Sequence, residues 1–139
     1  MISKTAEHAV RACVWLAEHP GHAWTVQRIA SATNVPAKYL GKVLQLLGRA
    51  QLVRAQPGPG GGFALNKEAS QICVLEIIEA VDPPPRGRTD SHPDADGLRP
   101  LHARLRQARA RVEASLRRCT LADLLREATF PIPKEGSDL

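Results

Sequence analysis

The residues whose types and spacing most strongly suggest a binding function lie in a glycine-rich stretch, QPGPGGGFALNK, at positions 56–67. Glycine this dense serves a backbone that bends sharply or approaches another molecule closely, and a nucleotide phosphate is one candidate. A Walker-type phosphate loop, however, needs a lysine after its last glycine and then a helix. Because Phe63 and strand-like residues follow instead, we do not expect nucleotide binding. Two explanations of the glycine-rich stretch remain: the tip of a hairpin that lies against a DNA backbone, and a merely flexible turn. The number of glycines favours the hairpin tip.

The histidine and acidic side chains give little indication of catalysis or of a metal site. His8 lies in the first predicted helix, His19 and His22 flank a turn, and His92 lies in a polar loop. Neither an HExxH spacing nor a set of paired carboxylates stands out. The three cysteines are far apart in the sequence: Cys13, Cys73 and Cys119. With no disulfide framework and no CxxC motif, we predict a reduced cytoplasmic protein that is not an enzyme.

The positive charge is concentrated in one half of the chain. Residues 1–66 hold seven Lys/Arg against two Asp/Glu, a net charge of +5, whereas residues 67–139 hold twelve of each, a net charge of zero. A basic half that contains the glycine stretch is typical of a surface that meets a polyanion, although basic solvated surfaces are also common. Aromatic residues make up only 4% of the chain. Since single-strand binding relies on aromatic stacking, double-stranded DNA is the better candidate.

Membrane association and secretion are not expected. No apolar run approaches the roughly 18 residues that a membrane span needs. Glu7, Arg11 and Glu18 interrupt the first apolar stretch, which argues against a signal peptide. A hydrophobic content of 43% is typical of a folded domain.

The glycine stretch follows a predicted helix-turn-helix. Apolar and small residues recur at helical spacing over residues 4–19, and Thr25 can cap a second helix at about 26–32. The tight turn ATNVP, with Asn34 able to adopt a left-handed conformation, then leads through Pro36 into a third helix that runs to about residue 50. LVRAQ and GFALN next read as two strands of a β-hairpin. A hairpin directly after a helix-turn-helix is the order of a winged helix.

The start of the third helix is the candidate recognition element. Lys38, Tyr39 and Lys42 follow Pro36 and Ala37 there, and the amides of a helix N-terminus favour phosphate. A DNA major groove admits one such helix. Taken alone, Lys38 and Lys42 are equally well explained as solvated lysines, and it is the neighbouring hairpin that favours DNA contact.

The second half divides into a buried helix, a loop and a long helix. The expected organisation is a winged helix-turn-helix domain over 1–82, a flexible loop over 83–97, helices over 98–130 and a disordered tail over 131–139. A fourth helix is predicted at about residues 70–81, a long helix at about 98–118, and a short helix capped by Thr120. The fold class is therefore mainly α, with a small β-hairpin wing and a long C-terminal dimerisation helix.

Apolar residues on the long helix follow steps of three and four, a heptad-like seam. Seven arginines but a single Glu113 lie between residues 99 and 118, so a narrow apolar stripe runs along a very polar helix. We infer homodimerisation across this helix, with packing inside one chain as the alternative. The predicted interface residues are Leu98, Leu101, Leu105, Ala108, Val112 and Cys119, with Ser115 between the last two.

Three segments together resemble the Rrf-two family of bacterial transcription regulators, the IscR/NsrR-type winged-helix repressors. They are IASATNVPAKYLGKVLQLLGRAQLVRAQPGPGGGFALNK, ICVLEIIEAVD, and RPLHARL with TLADLL, and the resemblance covers roughly residues 2–128. It implies a homodimer whose long helices cross, with each protomer reading half of a pseudo-palindromic operator.

The resemblance also implies which residues contact DNA. Beyond the third helix, these are Lys4, His8, Thr25, Arg28 and the wing residues Arg54, Gln56, Gly58, Gly60 and Gly61. Cluster-binding relatives often carry a base-reading arginine at the wing position that is Pro57 here. Arg54 or Gln56 are the candidates to substitute for it.

A second departure concerns iron–sulfur cofactors. Many relatives hold a cluster through three cysteines in the loop before the long helix, but Arg99 stands at the last of these positions and residues 74–118 contain no cysteine. Glu7 and His102 match residual ligand positions, yet clusters are held chiefly by thiolates. We therefore predict no metal and no cofactor. Oxidation of Cys119, burial of that thiol as an inert core group, and an unidentified small molecule remain open as routes for a signal.

The sequence thus predicts a homodimeric DNA-binding repressor. One alternative is a degenerate winged helix that binds another protein and no operator. The other is an iron–sulfur or redox-sensing regulator.

Overall fold

Helix α1, Lys4–Glu18, supplies one wall of the core. The Ser3 hydroxyl accepts a 3.0 Å hydrogen bond from the amide of Ala6 and so caps the helix. The computed structural model describes residues 2–84 and 97–128, and within them α1 packs against four other helices. Its buried residues recur every three or four positions: Ala6, Ala9, Ala12, Cys13 and Leu16.

Helices α2, Val26–Thr33, and α3, Ala37–Arg49, form the predicted helix-turn-helix. The Thr25 hydroxyl accepts a 3.1 Å hydrogen bond from the amide of Arg28, and Asn34 takes the left-handed conformation at φ 62° and ψ 37°. Pro36 stands just before α3, where its missing donor costs nothing. The helix caps and the turn are confirmed.

The wing is a two-stranded antiparallel hairpin of β1, Val53–Gln56, and β2, Gly62–Leu65. At its tip the amide of Gly61 donates to the carbonyl of Gly58 at 2.9 Å, with Gly60 at φ 76°. A proline at the second turn position followed by a glycine of positive φ is typical of a type II turn. Helix-turn-helix and hairpin follow each other in the predicted order, so the winged-helix fold class is confirmed.

The fourth helix begins later than the sequence pattern predicts. Ala69–Gln71 is a 3₁₀ turn, and α4 runs only from Val74 to Val81. Between them the chain is extended and pairs with the segment before the last helix: the Val74 amide donates to Cys119 at 2.8 Å, and the Leu121 amide donates to Ile72 at 2.9 Å. This pairing joins segments almost fifty residues apart, so helical periodicity could not reveal it.

The last two helices are α5, Arg99–Arg117, and α6, Leu121–Ala128. As predicted, Thr120 caps α6: its hydroxyl accepts from the Asp123 amide at 3.0 Å, and the Asp123 carboxylate accepts from the Thr120 amide at 2.9 Å. The hydrogen bond from the Thr120 amide is the main cause of the lowered pKa of Asp123, and the Arg126 guanidinium lowers this pKa further. Leu121 is fully buried and fixes α6 to the core.

Two predicted segments lie wholly or mostly beyond the described part of the chain. They are the loop over 83–97, of which only residues 83, 84 and 97 are described, and the tail over 131–139. Among the helices of the described residues, none is long and apolar enough to cross a membrane.

Candidate nucleic-acid interface

The N-terminus of α3 presents two cations and a turn of uncapped amides. Lys38 and Lys42 are exposed and lie four residues apart, hence on one face of the helix. Among the described residues, no side chain caps this helix end. First-turn amides without a side-chain acceptor, together with the helix dipole, suit an anion such as a phosphate.

Tyr39 connects α3 to the start of α1. Its hydroxyl shares a hydrogen bond with the Thr5 hydroxyl, and its ring meets the edge of the His8 ring at 5.4 Å and 82°. Tyr39 and His8 are half-buried, and His8 Nδ1 is buried without a hydrogen-bond partner in the described structure. The structure thus brings His8 beside the predicted recognition helix, where Tyr39 also acts as a packing contact between two helices.

Lys4 lies one turn before His8 on α1 and is highly exposed. Its ammonium group is 3.5 Å from the Glu7 carboxylate, and both side chains are in solvent. An exposed pair of this kind contributes little to stability. Lys4 is therefore able to exchange Glu7 for another anion at the same end of α1.

The wing is anchored to the residue that precedes the cap of α2. Trp24 and Phe63 exchange two backbone hydrogen bonds, of 2.9 and 2.7 Å. Next to this bridge, the Arg28 guanidinium lies 5.9 Å from the centre of the Trp24 ring. Thr25 and Arg28 are exposed. The start of α2 and the base of the wing therefore form one connected surface.

The glycines of the wing have structural reasons of their own. A Cβ atom on Gly62, which has φ 147°, would overlap the carbonyl of Trp24, and one on Gly61 would overlap the carbonyl of Gln56. Gly58 and Gly60 also have positive φ but face open space. The turn and its anchor therefore explain why this segment contains so many glycines without any contact to DNA. The number of glycines, which favoured a DNA-contacting hairpin tip in the sequence, is thus no longer evidence for DNA binding. The tip over residues 57–60 is nevertheless exposed.

The two candidates for the missing wing arginine lie in different places. Gln56 pairs with Gly62 directly beside the exposed tip. Arg54 pairs with Ala64 farther down the hairpin and lines a cleft with His19 and His22, whose described lining includes no residue of α3. Gln56 is therefore the better placed of the two to follow the tip into a groove.

The electrostatics of the helix-turn-helix and wing are one-sided. Residues 19–67 contain six Lys/Arg and no Asp or Glu. Both carboxylates of the first half belong to α1, at Glu7 and Glu18. The segment 19–67 therefore carries no carboxylate that would repel a polyphosphate locally, whereas Glu7 lies beside Lys4 on α1.

Within the described part of the chain, helix α5 buries no residue. Four large apolar side chains at its start and along its length are 39–56% exposed: Leu98, Leu101, Leu105 and Val112. The predicted seam residue Ala108 is exposed as well, whereas Cys119 beyond the helix end is half-buried. Between α4 and α5 lies a groove of about 520 Å³ whose lining includes Leu75, Ile78 and Leu116. Packing among the described residues therefore leaves the seam uncovered.

Cys13 and Cys119 are in environments that disfavour thiol reactivity. Burial raises the pKa of Cys13 to about 12. Burial raises the pKa of Cys119 as well, and the charges of Asp123 and Glu127 add to this effect. The structure brings Cys119 next to Cys73, which pairs with Thr120, although the two cysteines are far apart in sequence.

These donors do not fit an iron–sulfur cluster. Cys13 is inaccessible in the core, and Cys73 and Cys119 supply only two thiols. Within residues 2–84 and 97–128, no three His, Cys, Asp or Glu side chains converge, so Glu7 and His102 gain no thiolate partners. Clusters require mostly thiolate ligation. The absence of a cluster stays a prediction.

The sequence and the fold were compared with known proteins. The family described as "Rrf2: Iron-dependent Transcriptional regulator" matches residues 2–127. The chain belongs to the Rrf2 family. It is 35% identical over 103 residues to the HTH-type transcriptional regulator IscR of Vibrio atlanticus strain LGP32, which covers 71% of this chain and 59% of that protein. The chain spans little more than half the length of the curated relatives it matches, between 52% and 59%.

Two solved structures share the fold of this Rrf2 protein over most of its length. One is IscR of T. potens, with a TM-score of 0.76 and 26% identity, covering 92% of this chain and 88% of that one. The other is CymR, the global cysteine regulator of B. subtilis, with a TM-score of 0.72 and 28% identity, covering 91% and 97%. These relatives are regulators of transcription, in agreement with the prediction that the chain is not an enzyme.

Proposed function

We propose that this Rrf2 protein is a cytoplasmic transcription repressor that binds a pseudo-palindromic operator as a homodimer. The observation that carries the proposal is the carboxylate-free surface over residues 19–67, which joins the uncapped start of α3 to an exposed wing. Membership of the Rrf2 family supports a function in transcription regulation. That the protein represses transcription is inferred from the resemblance of its sequence to the winged-helix repressors.

The α3 N-terminus sits in the major groove in this proposal. The first-turn amides and Lys38 bind phosphate, and Lys42 extends the contact one turn further. Tyr39 holds α1 against α3, so Lys4 reaches the same backbone. The start of α2 at Thr25 and Arg28 contacts a neighbouring phosphate.

The wing follows the DNA backbone beside this helix. Its tip residues Gly58 and Gly60 carry no side chains and lie in open space, so the main chain can approach a groove closely. Gln56 is the polar side chain nearest the tip and is the proposed base-reading group in place of an arginine. Arg54 lies too far down the hairpin for that role.

The second protomer covers the exposed seam of α5. Four leucine and valine side chains that are 39–56% exposed would otherwise remain in water along the described part of this helix. Arg104, Arg109, Arg111 and Arg118 occupy positions beside the seam. Because like charges facing each other along two aligned helices would repel, the two helices cross rather than run side by side over their length. Two half-sites are then about one helical turn of DNA apart, or a multiple of it.

Selection of bound sequences from a random duplex pool tests the proposal. The purified protein is expected to enrich a two-fold symmetric sequence. A complex with roughly 6–10 phosphate contacts should lose about a thousandfold or more in affinity between 50 and 200 mM salt. If the protein bound no duplex even at low salt, the interaction module without an operator would replace this proposal.

We propose further that regulation does not use an iron–sulfur cluster. Anaerobic reconstitution with iron, sulfide and a thiol is expected to leave the protein colourless after desalting. A visible absorption band with stoichiometric iron and sulfide would contradict this.

A further inference from the structure

A cleft of about 610 Å³ lies where the turn between α1 and α2 meets the base of the wing. One wall consists of Leu16, Ala17 and residues 19–22. Arg54, Ala64 and Leu65 of the hairpin and residues 66–69 with Gln71 form the rest. Among the described lining residues, none belongs to α3 or to the wing tip. The cleft is therefore separate from the proposed DNA contacts of α3 and the tip, and its volume suits a small molecule.

The charged side chains that line the cleft are Arg54, Lys67 and Glu68, and Lys67 is paired with Glu76. Arg54 is exposed on β1, and Lys67 lies beyond the end of β2 with its ammonium group 3.4 Å from Glu76. Glu68 is the one carboxylate among the described lining residues. A guanidinium at the wall of a small cleft is well suited to a carboxylate or phosphate, which it can bind through two parallel hydrogen bonds.

Two histidine rings also line the cleft. His19 Nδ1 lies 2.8 Å from the carbonyl of Trp15, and His22 Nδ1 lies 2.9 Å from the carbonyl of Ala23. Because a carbonyl oxygen only accepts, each Nδ1 carries the proton, which leaves Nε2 for another partner.

The same histidine arrangement does not make a metal site. Histidine ligands often donate their second nitrogen to a carbonyl in this way. A metal ion would need further donors, and in the described structure no group of three His, Cys, Asp or Glu side chains converges.

We infer that this cleft binds a small anionic molecule that carries carboxylate or phosphate groups. Arg54 of the wing binds the anionic group, and His19 and His22 of the α1–α2 turn contact the ligand through Nε2, which accepts a hydrogen bond from a ligand hydroxyl. The proposal of a bound anion is independent of the proposed DNA-binding function, whereas its regulatory consequence rests on that function.

The consequence follows from what the two walls are attached to. The His22 ring lies 4.0 Å from the Trp24 ring, and Trp24 holds Phe63 of the wing through two backbone hydrogen bonds. Trp24 also directly precedes Thr25, the cap of α2. An anion that joins Arg54 to His22 therefore fixes the angle between the wing and the helix-turn-helix, and so changes the affinity for DNA.

The two tryptophans of the protein provide a direct test, because both lie beside this cleft. Trp15 stacks on His19 at 4.1 Å, and Trp24 contacts His22. Tryptophan fluorescence is recorded while inorganic pyrophosphate, citrate or glucose is added at constant ionic strength, without DNA. We expect a saturable change with pyrophosphate or citrate and none with glucose. Saturation at a lower concentration of pyrophosphate would indicate a phosphate ligand, and saturation at a lower concentration of citrate would indicate a carboxylate ligand.

Matched variants assign the signal to the cleft. Arg54→Gln should weaken anion binding by about tenfold or more, as expected for loss of a charge-assisted hydrogen bond. Arg11→Gln, the same change at an exposed position outside the cleft, should leave it unchanged. His22→Asn keeps a donor near the Nδ1 position but removes Nε2, and should also weaken binding.

Three results would overturn the inference: no saturable change with either anion, an equal change with glucose, or equal affinities in Arg54→Gln and Arg11→Gln. Thermal unfolding of each variant shows whether it is folded. Because no DNA is present, failure of this titration would leave the proposed operator binding intact, and loss of operator binding would leave the titration intact.

Discussion

The amide of Phe63 donates a 2.7 Å hydrogen bond to the carbonyl of Trp24, and the amide of Trp24 returns one of 2.9 Å. This bridge fixes the wing to the residue before the Thr25 cap of α2. The wing, the start of α2 and the cleft beneath Arg54 therefore move as connected parts. This contact between backbones helps to set the geometry of the proposed DNA-binding surface.

Replacing Gly62 with alanine should destabilise the protein through that bridge. The added methyl group would overlap the Trp24 carbonyl, and φ 147° is a conformation that alanine rarely adopts. We expect a loss of roughly 2 kcal/mol or more in the free energy of unfolding. Urea denaturation followed by circular dichroism measures it.

Gly41→Ala is the matched control for that substitution. Gly41 lies inside α3, and a Cβ atom there meets nothing within 4 Å among the described residues. Alanine should therefore stabilise the protein by about 0.5–1 kcal/mol. If both variants changed stability alike, the proposed role of the Trp24 contact would be wrong.

The hydrogen bond between Tyr39 and Thr5 should couple α3 to α1 energetically. Tyr39→Phe and Thr5→Val each remove one hydroxyl while keeping much of the packing. A double-mutant cycle should give a coupling of about 1 kcal/mol, typical of a partly buried hydrogen bond. Strictly additive losses would show that the two hydroxyls do not stabilise each other.

A charge placed on the exposed seam should separate the protomers. Leu105, which is 56% exposed within one chain, becomes buried if α5 helices cross. Leu105→Glu is expected to convert the dimer to a monomer in sedimentation equilibrium at micromolar concentration. Gln107→Glu adds the same charge at an exposed position off the seam and should leave the dimer intact. A wild-type monomer, or equal effects of both variants, would count against dimerisation through α5.

The thiols should react slowly at neutral pH. The pKa of Cys13 is raised to about 12 and that of Cys119 is raised as well, so both remain protonated where an ordinary thiol begins to ionise. Iodoacetamide labelling followed by mass spectrometry should therefore accelerate only as the pH rises beyond the usual thiol pKa, with Cys13 the slowest. The raised pKa of Cys13 also implies stability that is complete below pH 9.0 and is lost as the pH rises toward 12.

Cys119→Ser tests the redox hypothesis itself. With an unreactive thiol, the variant and the wild type should bind DNA alike, before and after peroxide. Oxidant sensitivity that the serine variant abolished would instead establish Cys119 as a sensor.

Local signals in the sequence predicted the helix-turn-helix and wing well. The Thr25 cap, the left-handed Asn34 and Pro36 act within a few residues of their own positions, and each appears as predicted. The predicted start of α4 was wrong because residues 72–74 pair with residues 119–121, and a periodic pattern in the sequence cannot show such pairing.

The candidate site was less predictable because its contacts join distant segments. Tyr39 and Thr5 are 34 residues apart, and Trp24 meets Phe63 across a similar separation. The sequence suggested that the wing glycines serve DNA, whereas Gly61 and Gly62 are required by neighbouring backbone. Residue types alone indicated the positive charge but not that Arg54 faces a separate cleft.

The decisive test of contact between the start of α3 and DNA is the salt dependence of DNA binding by a Lys38→Gln, Lys42→Gln double variant. Because this variant removes from each protomer two cations that we propose to bind phosphate, the slope of log affinity against log salt should fall by about three to four for a dimer. Arg49→Gln, which removes an exposed charge at the opposite end of α3, should keep the wild-type slope. Equal slopes for the double variant and Arg49→Gln would show that the start of α3 does not rest on the DNA backbone, and would contradict the account.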